Sequence, residues 1–232
     1  MDFLLDSIAE AFRLIVHLDR DLIAATLTTL QVSITSTVIA SLIGVPLALV
    51  ISRADFRGKP VLLRLLRTAL ALPTVLIGLF VYALIARSAP LGAMHLLFTP
   101  TAIVIGQVLL IIPLITALAH AALQPKFRQV YEEARLLGAL PSAALWKTVL
   151  ETRLGIVTAL LAGFGRVISE VGIALMLGGN IRGFTRTITT AITLTTSQGR
   201  FAEAFALGIV LLALVLIINL FIRTGSERRE ST

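Results

Sequence analysis

Five runs of apolar sequence, each about 20 residues long, recur along this 232-residue chain and leave little room for a soluble fold. They lie near 24–51, 69–87, 100–122, 154–177 and 204–222. Each is long enough at 1.5 Å per residue to cross a hydrocarbon layer roughly 30 Å thick. Hydrophobic residues make up 57% of the chain and charged residues only 14%, more apolar surface than a soluble domain of this size buries. The expectation is an all-α integral membrane protein with one transmembrane domain over 1–232. The formal charge of +7 could point to nucleic acid, but the basic residues are scattered between apolar runs without interleaved aromatics. The absence of cysteine from the sequence excludes disulfides, thiolate metal sites and cysteine nucleophiles.

The first 21 residues carry Asp2, Asp6, Glu10, Asp19 and Asp21 and lack the basic start of a cleavable signal. Phe3, Leu4, Ile8, Phe12, Ile15 and Leu18 fall at helical spacing, which predicts a short extracytoplasmic interfacial helix over 1–21. Orientation follows from the basic residues. The 52–68 loop, the 123–153 loop and the C-terminal tail together hold 13 Lys and Arg, against six on the opposite side. The richer side is expected in the cytoplasm, with the N-terminus outside and the C-terminus inside.

Between the third and fourth apolar runs stands YEEARLLGALPSAALWKTVLE, residues 131–151. Its opening glutamates suit the positive end of a helix dipole. Gly138 interrupts that helix, and Pro141 can start a second one because its missing N–H costs little there. Leu145, Trp146, Val149 and Leu150 predict an apolar face on the second helix. The pattern resembles the EAA loop of the binding-protein-dependent ABC importer permeases, which docks into a cleft on the ATPase subunit. Glu132, Ala134, Gly138 and Leu150 match that loop at the right spacing. Glu133 stands for its first alanine, Thr148 for its isoleucine and Glu151 for its closing proline.

The resemblance covers nearly the whole chain and implies a MetI-like permease fold in a prokaryotic cytoplasmic membrane. It implies an ATPase-coupling role for Glu132, Glu133, Ala134, Gly138 and Leu150. It further implies an ABC ATPase subunit dimer, an extracytoplasmic oxyanion-binding protein and a permease homodimer as partners. The chain is then not itself an enzyme and binds no cofactor, ATP being used by the partner. Consistent with this, the sequence contains no G-x-x-x-x-G-K-[ST] phosphate loop. Five spans are also too thin a wall to enclose a pathway, which favours a symmetric pair.

Residues 165–201 form the second informative stretch. Arg166 and Glu170 are expected four residues apart on one helix face, roughly 18 to 24 Å along the span from Leu154. Ionisable groups at such depth face a partner or an aqueous cavity. Two readings stand side by side: a mutual ion pair that eases insertion, and a pathway or gating role. Gly178, Gly179 and Asn180 are expected to end this helix. A threonine-rich helix follows, too short to span, within an extracytoplasmic or re-entrant segment over 178–203. Its hydroxyls, with Arg182 and Arg186, could favour an oxyanion, or could satisfy their own helix backbone. The ISEVG, GGNI, TRT and TTAI succession is similar to that of tungstate importer permeases, and more loosely to molybdate permeases. The pathway or gate reading takes in Arg166, Ser169, Glu170, Asn180, Thr187 and Thr190, and molybdate, sulfate and phosphate stand beside tungstate as alternative cargoes.

His17, His95 and His120 are too scattered for a metal site and are expected at solvent or headgroup positions. Pro46, Pro73 and Pro113 each fall in a span, either shaping a pathway or simply tolerated. Gln107, inside the third span, suits interhelical bonding as well as pore lining. An autonomous secondary transporter and a membrane-embedded enzyme are the rival classes. The first leaves the 131–151 loop unexplained, and the second lacks converging titratable groups beyond Arg166 and Glu170.

Overall fold

The structure is a computed structural model that describes residues 8–9 and 20–227, with side chains to Leu220. The helix expected over 1–21 falls almost wholly outside the described residues, as does His17. The described chain is helical throughout: α1 Arg20–Arg53, α2 Lys59–Ala69, α3 Thr74–Ile85, α4 Pro100–Lys126, α5 Glu132–Leu136, α6 Pro141–Glu151, α7 Arg153–Ile168, α8 Gly172–Gly178, α9 Ile188–Ser197 and α10 Phe201–Glu227. A single π-helical turn, Phe127–Tyr131, continues α4 into α5.

Three of these helices are long and apolar enough to cross a membrane. The number rises to five if α2 with α3, and α6 with α7, each count as one broken span. The runs expected near 24–51, 100–122 and 204–222 each fall in one long helix, whereas the other two are interrupted. The second starts with α3 at Thr74, because Pro73 disfavours helical backbone in the residue before it. The fourth, expected unbroken over 154–177, stops at Ile168 and resumes at Gly172. Pro46 and Pro113 lie inside continuous helices.

The chain divides into two compact units. One comprises residues 1–35, 74–107 and 167–232. Its core gathers Leu22, Ala25, Ile188, Ala191 and Leu207, with a second cluster of Val32, Ile103 and Ala174. Helices approach closely here because small residues face the contacts. A Cβ on Gly106 would stand 2.6 Å from Ile173 Cγ2, so α4 and α8 could not pack this way with a side chain there. Buried Gln107 donates to the Val167 carbonyl at 3.3 Å, which makes it interhelical bonding rather than pore lining.

The other unit comprises residues 36–73 and 108–166. Ala48, Ala119, Leu123, Ile156 and Ala159 form its core, again mostly small side chains. His120 belongs to it, contrary to the expected solvent or headgroup position. Its ring is buried, with Nδ1 2.8 Å from Ser52 Oγ. The Ser52 hydroxyl also lies 2.7 Å from the Ala48 carbonyl, so it bridges the His120 ring and the α1 backbone.

Candidate functional site

The 131–151 loop folds as the expected helix–turn–helix, with Gly138 in the turn that ends its first helix. Gly138 has φ +85°, and nothing lies within 4 Å of where its Cβ would be. The Ala139 N–H donates to the Ala134 carbonyl at 2.9 Å and the Gly138 N–H to the Arg135 carbonyl at 3.1 Å. These two bonds are the Schellman pattern, which closes a helix with glycine in the left-handed region. Arg135 Nη1 reaches forward to the Ala139 carbonyl at 2.6 Å and fastens the turn. Leu140 is extended and Pro141 opens α6 as expected.

The apolar face expected on α6 is split. Ala144 and Thr148 are the buried side, while Leu145 and Val149 are only partly buried. Thr148, which stands where the resembled loop has isoleucine, bonds the Ala144 carbonyl at 2.8 Å and accepts from Thr152. Trp146 is left 65% exposed, and Leu150 is exposed too. At the turn, Leu136 is 86% and Leu137 89% exposed, with Leu140 alongside. Glu132 and Glu133 are also exposed, and Ala134 is half-buried. The loop thus presents a knob of large apolar side chains beside two carboxylates. Leu136 and Leu137 do not stand out in the sequence, and Leu140 stands out only as part of the turn before Pro141. Their signal is three leucines flanking a helix-ending glycine in a loop rich in charge.

The base of the knob is held within its own unit. Lys126 Nζ donates to the Glu151 carbonyl at 3.2 Å. Phe127 stacks on Tyr131 with ring centroids 4.9 Å apart, and the Arg53 guanidinium lies 5.9 Å from the Tyr131 ring.

The residues singled out between 165 and 201 are arranged differently from expectation. Arg166 and Glu170 do not share one uninterrupted helix, since α7 ends at Ile168. Glu170 is buried; its Oε1 accepts the Ile173 N–H at 3.3 Å, satisfying a donor in the first turn of α8. Its carbonyl accepts the Thr189 hydroxyl at 3.0 Å. At the break in the fourth span the Glu170 carbonyl thus bonds outward to Thr189, while its N–H still bonds back to the Val167 carbonyl at 3.1 Å. Arg166 is half-buried and Ser169 exposed. Helix α8 does end at Gly178, with Gly179 and Asn180 both left-handed.

The threonines build structure first. Thr187 caps α9, its hydroxyl and that of Thr190 each meeting the other's backbone N–H. Thr187 also contacts Thr189 at 2.8 Å between hydroxyl oxygens. From α1, Thr29 Oγ1 accepts the Ile188 N–H at 2.9 Å, a contact sequence reasoning missed because its partners are 159 residues apart. Arg186 donates to the Asn180 side-chain oxygen at 3.0 Å.

Arg182 grips Asp21 through two of its guanidinium nitrogens, Nε at 2.8 Å to Oδ1 and Nη2 to Oδ2. That hydrogen bond, with the nearby Arg182 and Arg186 charges, holds the Asp21 carboxyl below the usual carboxylate range against slight desolvation. A cavity of about 410 Å³ opens there, lined among others by Asp21, Arg182, Arg186, Arg200 and Glu203. Arg200 pairs with Glu203 on its wall. Among the described residues no group of three His, Cys, Asp or Glu is gathered as a metal site would require.

Residues 23–229 match the family model described as binding-protein-dependent transport system inner membrane component. The chain belongs to that family. It is a multi-pass membrane protein of the permease class, and its all-α fold is MetI-like. A probable anion ABC transporter permease protein of Haloferax volcanii is 39% identical over 216 residues, covering 91% of this chain and 92% of its own. The tungstate uptake system permease protein TupB of Peptoclostridium acidaminophilum is 33% identical, covering 98% of this chain and 100% of its own. The molybdenum transport system permease protein ModB of Azotobacter vinelandii is further away, at 27% over 86% of this chain and 92% of its own. Among solved structures, a bacterial ABC transporter involved in import of the acidic polysaccharide alginate superposes with a TM-score of 0.68. It is 20% identical, with 90% of this chain and 80% of that one covered, which speaks for the fold.

Proposed function

We propose that this permease is the membrane subunit of an ATP-driven importer that moves tungstate into the cytoplasm by alternating access. The observation that carries the coupling role is the exposed knob of Leu136, Leu137, Leu140 and Trp146, held on a glycine-closed turn between two short helices. Large apolar side chains left open to water in a charged loop fit a partner's pocket far better than solvent. Glu132, Glu133, Ala134, Gly138 and Leu150 carry that contact in this reading. The partner is a separate ABC ATPase dimer that supplies the energy, since the sequence holds no phosphate loop of its own. Two copies of the permease then enclose the pathway, and an extracytoplasmic binding protein delivers the anion. The N-terminus lies outside and the C-terminus in the cytoplasm, as the asymmetry of Lys and Arg suggests.

Tungstate as cargo is supported by relatives named for tungstate uptake at 33% and 35% identity over nearly the whole chain. Relatives named for molybdenum transport, at 29% or so, favour molybdate as the second reading. Arg166, Ser169, Glu170, Asn180, Thr187 and Thr190 line or gate the pathway in this proposal, although the two threonines first serve α9. The test is the tungsten and molybdenum content of cells lacking the gene and of complemented cells, both fed trace oxyanion. Loss of tungsten alone, restored by the gene, is the expected result; unchanged tungsten overturns the cargo, and loss of molybdenum alone selects the second reading.

A further inference from the structure

Helix α2 serves neither the coupling loop nor the threonine segment, yet it interleaves leucines with basic residues along one short helix. It reads KPVLLRLLRTA over Lys59–Ala69, and none of its residues is fully buried. Leu62, Leu63, Leu66 and Ala69 are half-buried and share one face by their helical spacing. Val61 and Leu65, one turn apart on the next flank, are 57% and 61% exposed. Arg64 and Arg67 are exposed on the polar flank beyond, and exposed Phe56 and Arg57 precede the helix. Lys59 folds back onto the Ala54 carbonyl at 3.0 Å and, at 3.4 Å, onto Asp55. That leaves Arg57, Arg64 and Arg67 pointing outward beside apolar side chains that water alone does not stabilise.

A helix with one flank against its own protein, one apolar flank and one cationic flank fits the boundary between acyl chains and headgroups. Cationic side chains there attract anionic headgroups over a distance comparable to the Debye length. We propose that α2 lies in the headgroup layer and forms a binding surface for anionic phospholipid. Val61 and Leu65 dip among the acyl chains while Arg57, Arg64 and Arg67 hold headgroup phosphates. A bilayer is the occupant favoured here because the chain is a multi-pass membrane protein and the apolar and basic flanks adjoin. The inference rests on that membrane character alone and not on the cargo or the ATPase reading.

The chain contains no cysteine, so a single spin label can be placed cleanly in the full-length protein. Leu65→Cys and Arg67→Cys are labelled separately and reconstituted in phosphatidylcholine vesicles with and without phosphatidylglycerol. The label at 65 should be reached by oxygen dissolved in the acyl chains, and the label at 67 by a water-soluble nickel reagent. The triple variant Arg57→Gln/Arg64→Gln/Arg67→Gln should retain less phosphatidylglycerol relative to phosphatidylcholine on purification, by about fivefold for each arginine removed. A label at 65 reached only from water overturns the proposal, as does a triple variant with unchanged lipid preference. Protection at 65 that arises only when the ATPase subunit is added would assign this flank to protein and overturn it equally.

Discussion

Gly138 has open space around its missing side chain but a backbone angle of +85°, so its demand is conformational rather than steric. An L-residue in the left-handed region costs about 1–2 kcal/mol, and asparagine least among the alternatives. Transport should therefore fall in the order Gly138→Asn, Gly138→Ala, Gly138→Val, with insertion into the membrane unchanged in all three. Uptake by Gly138→Ala equal to that of the parent would defeat this account. The sequence marked the glycine through its spacing, whereas the reason for it needed the φ angle and the two Schellman hydrogen bonds. The Asp21–Arg182 pair was not legible at all, because its members are 161 residues apart. Its pH behaviour has a definite sign. The folded carboxyl titrates below its ordinary value of about 3.9, so its stabilisation is complete above that value and fades only as acid protonates the folded form. The melting difference between the parent and Asp21→Asn should stay constant from about pH 5 upward and shrink below about pH 4. At such an exposed pair the difference itself should be about 0–1 kcal/mol.

Helices were legible where apolar periodicity ran uninterrupted, and their ends where glycine or proline spoke locally. The break at 169–171 was not, because Val167, Ile168, Val171 and Ile173 read as one continuous apolar helix. At the break one contact is tertiary, the Glu170 carbonyl taken by Thr189, and one is local, the Glu170 carboxylate accepting the Ile173 N–H three residues on. The threonine segment shows the same dependence on distant partners. Thr29→Val would leave the buried Ile188 N–H without its acceptor, at a cost of about 1–3 kcal/mol. Thr187→Ala removes the α9 cap and should cost about 0.5–2 kcal/mol. Thr193→Ala, whose hydroxyl only bonds back to the Thr189 carbonyl on its own helix, should stay within about 0.5 kcal/mol. Thermal unfolding of the three purified variants in one detergent checks the ranking. A Thr193 variant as unstable as the Thr29 variant would mean that α9 is not held by the contacts described.

At the scale of the molecule, hydropathy alone was enough to place the chain among all-α membrane proteins, since no soluble fold absorbs five such runs. The division into two compact units was hidden, because α1, α4 and α7 each pass from one unit to the other without any change in composition. Also hidden was which apolar side chains the folded chain leaves unused. Leu137 touches little of its own chain, so Leu137→Ser should change the melting temperature of the isolated permease hardly at all, within about 0.5 kcal/mol of stability. If the knob seats in the ATPase subunit, that small change at the permease becomes a large one at the interface. The few anchors at the centre of an interface contribute about 2 kcal/mol or more, which at a fixed concentration is a loss of about thirtyfold in affinity. Leu137→Ser should therefore co-purify with much less ATPase subunit, while Leu65→Ser, on the α2 flank, should co-purify normally. Equal retention of the ATPase by both variants would remove the knob as the point where the motor engages the membrane domain.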